Sequence, residues 1–193
     1  MLLALEIIGV IVGLIYLWLE YRASVWLWLT NIIMPAIYIY IYGEAGFYAD
    51  MGINIYYLVA SIYGWAMWLR RGDSGEQLQI THTPKKMVLP LVAAFAVAMV
   101  VITYILLNYT DSTVPYGDSF TTALSVVALY MLARKQAEQW LVWLVVDAVS
   151  CALYISKGIH LTAALYGLYT ILAWVGYRRW LKMIEEDATL PTA

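Results

Sequence analysis

The sequence predicts an all-α integral membrane protein with seven transmembrane helices in a 3+1+3 arrangement of parallel three-helix repeats. Three observations lead there. Hydrophobic residues fill 64% of the 193 positions and charged residues only 12%, whereas soluble domains average roughly 45 to 50% apolar and about 25% charged. Seven mainly apolar runs stand between charged loops, each close to the ~20 residues that cross about 30 Å of hydrocarbon. Residues also recur at a spacing of 112, pairing Tyr42 with Tyr154, Gly46 with Gly158, Tyr57 with Tyr169, Gly64 with Gly176 and Trp68 with Trp180.

The spans read 2–19, 25–42, 49–69, 87–107, 119–133, 139–156 and 160–180. Each is expected to be helical, because lipid offers the backbone no hydrogen-bond partner and barrel strands would be shorter and alternating. The first begins Met-Leu-Leu-Ala-Leu-Glu with no basic n-region or cleavage site, so it reads as a mature span. The second contains Pro35, which removes a backbone donor and favours a kink near mid-membrane. The third carries a stripe of Asp50, Asn54, Tyr57, Ser61, Trp65 and Trp68. The fourth is a plain apolar linker, and the short fifth adds Asp118, Thr122 and Ser125. On the sixth, Trp140, Trp143 and Asp147 share a face that Ser150, Cys151 and Tyr154 continue, since residues three, four and seven apart stack on one side of a helix. The seventh adds Tyr166, Tyr169 and Trp174.

Loop charge orients the chain. Arg22, then Arg70, Arg71, Lys85 and Lys86, then Arg134 and Lys135, then Arg178, Arg179 and Lys182 follow the odd-numbered spans, and Lys157 alone lies opposite. The positive-inside rule then puts the N-terminus outside and the C-terminus in the cytoplasm. A second register, 114, pairs Tyr16 with Tyr130, Ala23 with Ala137 and Trp26 with Trp140, carrying the similarity into spans 1 and 5. The chain thus reads as one transmembrane domain over 1–193: a first repeat in 1–69, a linker helix in 87–107 and a second repeat in 119–182. With one helix between them both repeats start on the same side, about an axis normal to the membrane, and substrate sites in such folds sit near midplane between the halves.

Asp147 is the most informative residue. A carboxylate at bilayer depth costs about 2.5 to 3.5 kcal/mol on insertion scales and persists where a partner, cavity or ligand compensates. No Lys or Arg falls inside any span except Arg178 and Arg179 at the very end of the seventh, which leaves an exogenous cation or a proton. Aromatic faces nearby hold flat cations by cation–π attraction and stacking. Competing explanations exist for other positions. Interface anchoring explains Trp18, Trp26, Trp28, Trp65, Trp68 and Trp180 better than binding does; Ser61, Thr122 and Ser125 suit back-bonding to helix carbonyls equally well; Asp50 and Asp118 suit capping and the helix dipole.

Several chemistries are excluded or poorly supported. There is no G-x-x-x-x-G-K-[ST] phosphate loop. His82, His160 and the single Cys151 assemble neither a metal site nor a Cys-His pair. Cys151 reads as a small apolar filler. The seventh span lacks the mid-span Lys of a retinal protein. No cofactor, no enzymatic activity and no nucleic-acid partner are expected.

Phe47-Tyr48-Ala49-Asp50 through Asn54 to Ile62-Tyr63-Gly64-Trp65, Asp118-Ser119 with Ser125, Arg134-Lys135, and W-x-x-W-x-x-x-D from Trp140 to Asp147 resemble the PnuC family of bacterial vitamin transporters over nearly the whole chain. The resemblance implies a homotrimer in the bacterial cytoplasmic membrane and facilitated diffusion of a vitamin that a cytoplasmic kinase traps by phosphorylation, without necessary contact between the two proteins. Members carrying nicotinamide riboside typically end the motif in Asn and often have Gln at the position of Asn54. Asp147, with Pro35 and Tyr-rich spans 2 and 3, looks more like the thiamine-carrying branch. Thiamine is therefore the first expectation, nicotinamide riboside the alternative and neutral riboflavin third. Trp140 and Trp143 would stack on the ligand ring, Asp147 would supply charge, and Asn54 and Tyr57 would add contacts from the opposite repeat, with Ser61, Asp118, Tyr166 and Tyr169 completing the substrate-binding set. Pro35, Gly64 and Gly176 are the hinge candidates. A vitamin sensor that moves nothing would need a docking domain, and only eleven residues follow Lys182; a cation channel would need more charges along one path.

Overall fold

The computed structural model describes residues 2–46, 48–70 and 78–189. Among them run seven helices: α1 (Leu2–Tyr21), α2 (Leu27–Ala45), α3 (Tyr48–Leu69), α4 (Lys85–Tyr109), α5 (Pro115–Ala133), α6 (Gln139–Ser156) and α7 (His160–Thr189). The bounds of α6 are those read from the sequence. Helix α5 starts four residues earlier than expected, because Pro115 occupies the first turn, where its missing N–H is no loss. Helix α7 continues nine residues beyond 180, through Glu185, Glu186 and Asp187. Pro35 lies inside α2, which runs through it without interruption. Phe47 and Arg71 lie outside the described residues, as do the side chains of Tyr48, Ala49 and Asp50.

Helices α4 and α6 reach mean hydropathies of 2.5 and 1.5 over 18 residues; others, such as α3, are diluted by the Tyr, Asn and Ser of a polar interior. No described residue of α4 is buried, and Leu89, Val92, Val97 and Val100 are among its exposed apolar side chains. Such a face belongs in hydrocarbon.

Helix packing interlocks the halves. Helix α2 lies on α3 and α6 on α7, but α1 packs against α7, and α5 against α3 as well as α6. Contacts recur at the spacing of 112. Trp28 meets Trp68 edge-on (5.5 Å, 88°) and Trp140 meets Trp180 edge-on (5.9 Å, 87°), while Trp68 and Trp180 join the pairs at 6.5 Å. The Trp68 indole N–H donates to the Leu132 carbonyl and the Trp180 N–H to the Glu20 carbonyl. Gly64 lies under the Trp28 ring, and a Cβ at Gly176 would come within 2.7 Å of the Trp140 ring. These two glycines permit the close approach of an indole ring to the helix backbone. Gly46 and Gly158 are left-handed at φ 77° and 72°, and Ala23 and Lys135 at 49° and 50°. Helices α1 and α5 therefore follow the 112 register too. The 114 register pairs Ala23 with Ala137 and is corrected: backbone geometry aligns Ala23 with Lys135.

Trp28, Trp68 and Trp180 are 0%, 4% and 0% exposed. They are buried structural elements, which corrects their reading as interface anchors. Trp18, Trp26 and Trp65, in contrast, are exposed. The four indoles gather where α1, α3 and α5 end and where the Lys and Arg residues concentrate, and Lys135 Nζ sits 4.5 Å from the Trp68 ring centroid.

A strap, residues 78–84, crosses this basic end. Ile80 is buried in the core that includes Trp68 and Trp180. Thr81 donates its N–H to the Lys135 carbonyl (3.0 Å) and accepts from the Ala137 N–H (2.9 Å). Glu138 accepts from the Thr83 N–H (2.6 Å) and hydroxyl (2.8 Å), and its other oxygen lies 2.7 Å from His82 Nδ1. Burial pushes the Glu138 carboxyl up, but the His82 and Thr83 bonds outweigh it and hold the group below its ordinary value. With the folded-state pKa below the unfolded value near 4.3, about the free carboxylate value, this stabilisation is complete above that pH and is lost as pH falls through the folded-state value. The strap is therefore expected to stay docked at neutral pH and to loosen only in acid. Glu138→Gln should speed hydrogen exchange at the Thr83 amide by about tenfold at pH 7, the loss expected for a charge-assisted bond; unchanged exchange would show that Ile80 and the Thr81 backbone bonds hold the strap without Glu138.

Candidate functional site

Two cavities open into the bundle and share a wall. The smaller, about 390 Å³, lies among α1, α2, α3, α5, α6 and α7 and is lined by Gly13, Tyr16, Leu17, Glu20, Asn31, Met34, Pro35, Tyr38, Asn54, Tyr57, Ser61, Leu129, Trp140, Trp143, Asp147, Tyr166, Tyr169 and Ala173. The larger, about 1290 Å³, is a groove between α4 and the bundle that reaches Asp118 and Lys157 at the end opposite the basic loops. Tyr57, Trp143, Asp147 and Tyr166 border both.

Of the residues singled out from sequence, Trp140, Trp143, Asp147, Asn54, Tyr57, Ser61, Tyr166 and Tyr169 meet around the smaller cavity. Asp118 does not. It lines the groove, where it accepts from the Ser112 hydroxyl (2.7 Å) and pairs with Lys157 (3.3 Å). Its capping role is corrected as well: α5 has no side-chain cap, and Asp118 instead ties the start of α5 to the turn between α6 and α7. Ser61 donates to the Tyr57 carbonyl (2.6 Å), which occupies its proton and leaves its oxygen lone pairs facing the cavity.

Asp147 is halfway along α6 and 8% exposed. Among the described residues, no hydrogen bond or ion pair reaches its carboxylate. No Lys or Arg lines the smaller cavity. A buried charge without a partner costs several kcal/mol, roughly, after relaxation, so the cavity is built to attract a positive occupant. The walls suit a flat one. Tyr154 stacks on Tyr166 at 5.2 Å and 21°, and Tyr169 meets Tyr166 edge-on, presenting ring faces and edges in a fixed arrangement. Trp140 and Trp143 each bury an indole N–H with no acceptor, a condition that costs about 1 to 3 kcal/mol and that a ligand oxygen or nitrogen relieves. Trp28 shares that condition outside the cavity wall, so packing accounts for one such case.

Sequence reasoning missed four polar members of the wall, Tyr38 on α2 and three that interact or lie close together. Glu20, Tyr16 and Asn31 line the cavity, with Asn31 donating to the Tyr16 hydroxyl at 3.5 Å and Glu20 only 1% exposed. Tyr16 and Glu20 stand four apart on α1, one helical turn, and that spacing was the available signal. It was obscured because Glu20 directly precedes Tyr21-Arg22 and reads as a loop charge.

Comparison with known proteins bears on this geometry. Nicotinamide riboside transporter PnuC of Escherichia coli (strain K12) is 23% identical over 207 residues, covering 94% of this chain and 87% of its own length. Riboflavin/roseoflavin transporter RibM of Streptomyces davaonensis is 28% identical over 191 residues, covering 95% and 87%. The crystal structure of the vitamin B3 transporter PnuC superposes with a TM-score of 0.68 at 22% identity, over 92% of this chain and 80% of that one; the fold of seven membrane helices is shared. A family model described as nicotinamide mononucleotide transporter matches residues 3–182. A match that spans all seven helices decides membership: the chain belongs to the nicotinamide mononucleotide transporter family, the PnuC-type membrane vitamin transporters, and is not an enzyme.

Proposed function

We propose that the chain carries a flat, permanently cationic vitamin into the cell by facilitated diffusion, with phosphorylation in the cytoplasm trapping what enters. The observation that supports this best is Asp147: buried, unpaired, and facing an aromatic cavity without a basic side chain. Nicotinamide riboside is the first substrate to test, since relatives along nearly the whole chain bear that name. That reverses the order expected from the motif. Thiamine remains the second reading on one observation, a wall that offers two carboxylates, Asp147 and Glu20, where a vitamin with both a cationic ring and an amine finds two acceptors. Riboflavin, named for another relative, is neutral and brings no positive charge to either carboxylate.

The basic end is taken as cytoplasmic, which puts the N-terminus outside. The four-tryptophan contact then closes the cavity toward the cytoplasm, and the groove leads toward the outside. The two three-helix units with α4 between them act as one domain and rock about the cavity. A homotrimer in the bacterial cytoplasmic membrane goes with this reading, a state that native mass measurement in lipid would count directly. Uptake is expected to persist in liposomes without proton or sodium gradients and to show counterflow, accumulating labelled vitamin against an excess inside. Uptake that collapses when gradients are dissipated would replace diffusion with coupled transport.

A further inference from the structure

Glu20 carries an inference that builds on the cationic-vitamin reading. Its side chain is 1% exposed and faces the cavity. One carboxylate oxygen accepts from the Gln139 side-chain amide at 2.9 Å, joining α1 to α6 across the two halves. The main-chain carbonyl of the same residue accepts from Trp180 at 3.1 Å. Gln139 precedes Trp140, and its own side-chain oxygen is buried without a donor. Glu20 therefore touches both the candidate cavity and the tryptophan closure.

The spacing of 112 makes this pair unusual. Positions equivalent to Glu20 and Gln139 in the opposite halves are Leu132 and Leu27, both 0% exposed. Two leucines suffice to close one side, so a carboxylate and an amide are not needed to pack the other. A polar pair at the one copy that borders the cavity, half-satisfied at Gln139, calls for a ligand-linked explanation. Gln139 supplies one N–H to Glu20 and takes nothing back, so it is a partner that a stronger donor can displace.

We propose that Glu20 is a second cation-recognition residue, which exchanges Gln139 for a cationic or N–H-donating group of the bound vitamin and so links occupancy of the cavity to release of the closure at the basic end. Asp147 and Glu20 project from α6 and α1 into one space, so a ligand with two separated positive or donating groups satisfies both. Loss of the Glu20–Gln139 bond removes a direct polar tie between the halves and leaves the tryptophan contacts to hold the closure. In this scheme a ligand that presents neither a cationic nor an N–H-donating group to Glu20 fills the cavity without displacing Gln139.

The test is calorimetric titration of purified full-length protein with nicotinamide riboside, thiamine and riboflavin, using wild type, Glu20→Gln and Gln139→Leu. Glu20→Gln is expected to weaken the cationic vitamin that wild type binds by about tenfold or more, as a charge-assisted bond is lost. Gln139→Leu removes the competitor and is expected to tighten the same vitamin by about 3- to 10-fold. A purely structural pair predicts losses in both. Equal affinities of wild type and Glu20→Gln, or shifts in the same direction for both variants, would overturn the assignment. In wild-type protein, where folding is not in question, saturating vitamin should protect Glu20 from carbodiimide labelling mapped by mass spectrometry, and undiminished labelling would equally sink it. If wild type binds none of the three, the vitamin reading itself fails; if it binds one and Glu20 is indifferent, only this inference does.

Discussion

Asp147→Ala is expected to cost at least 10- to 100-fold in affinity for the cationic vitamin, about the worth of a charge-assisted contact, without lowering the melting temperature of the empty protein. The second half of that expectation is the more informative. An ion-paired buried carboxylate that loses its partner typically destabilises by several kcal/mol, about 3 to 5, but Asp147 has no partner among the described residues. Removing it relieves a desolvated charge and breaks nothing. Asp147→Asn separates the contributions: an amide keeps a hydrogen-bond acceptor and loses the charge, so an intermediate affinity assigns the remainder to electrostatics. Should Asp147→Ala instead lower stability and leave binding intact, the carboxylate is structural and the cavity lacks its anchor.

Gly176→Ala is expected to destabilise the fold, although alanine is the better helix former by about 1 kcal/mol. Its Cβ would sit 2.7 Å from ring atoms of Trp140, which is 1% exposed and packed edge-on against Trp180. Because that ring is held in the edge-on contact with Trp180, overpacking of roughly 1 to 3 kcal/mol outweighs propensity. Gly64→Ala meets the ring of Trp28 and should behave alike. Gly52→Ala supplies the control, since a Cβ there meets nothing within 4 Å and should be neutral or slightly stabilising. Thermal melts followed by tryptophan fluorescence would order the three; a Gly176→Ala protein as stable as Gly52→Ala would mean the indoles repack freely.

Particular residues show how far the sequence could be read. The apolar stretch 139–156 was legible to the residue because Glu138 and Lys157 bracket it. Pro115-Tyr-Gly-Asp was not, since proline and glycine read as a turn until the first helical position is recognised as proline's favoured place. Trp28, Trp68 and Trp180 show the deeper difficulty. Residue type alone does not separate a tryptophan at an interface from one in a core; depth is set by which helix lies opposite. The glycines spaced 112 apart held that information, but only as partners of indoles whose identity requires the fold. Asp147 stood out because its neighbours are apolar on both sides. Glu20 did not, because its burial comes from α7, 160 residues away in the chain.

That last contact has a bearing on biosynthesis. Helix α1 leaves the ribosome before the other six described helices, yet its inward face is covered by α7, which follows them, through the Trp180 bond to the Glu20 carbonyl and the close approach of Gly13 to Tyr169. Until α7 is in place, the Glu20 main-chain carbonyl lacks its Trp180 donor and this face of α1 stays uncovered. This face is therefore completed only when α7 docks rather than helix by helix, and a chain halted before Tyr169 leaves its polar groups to the lipid, where they are costly.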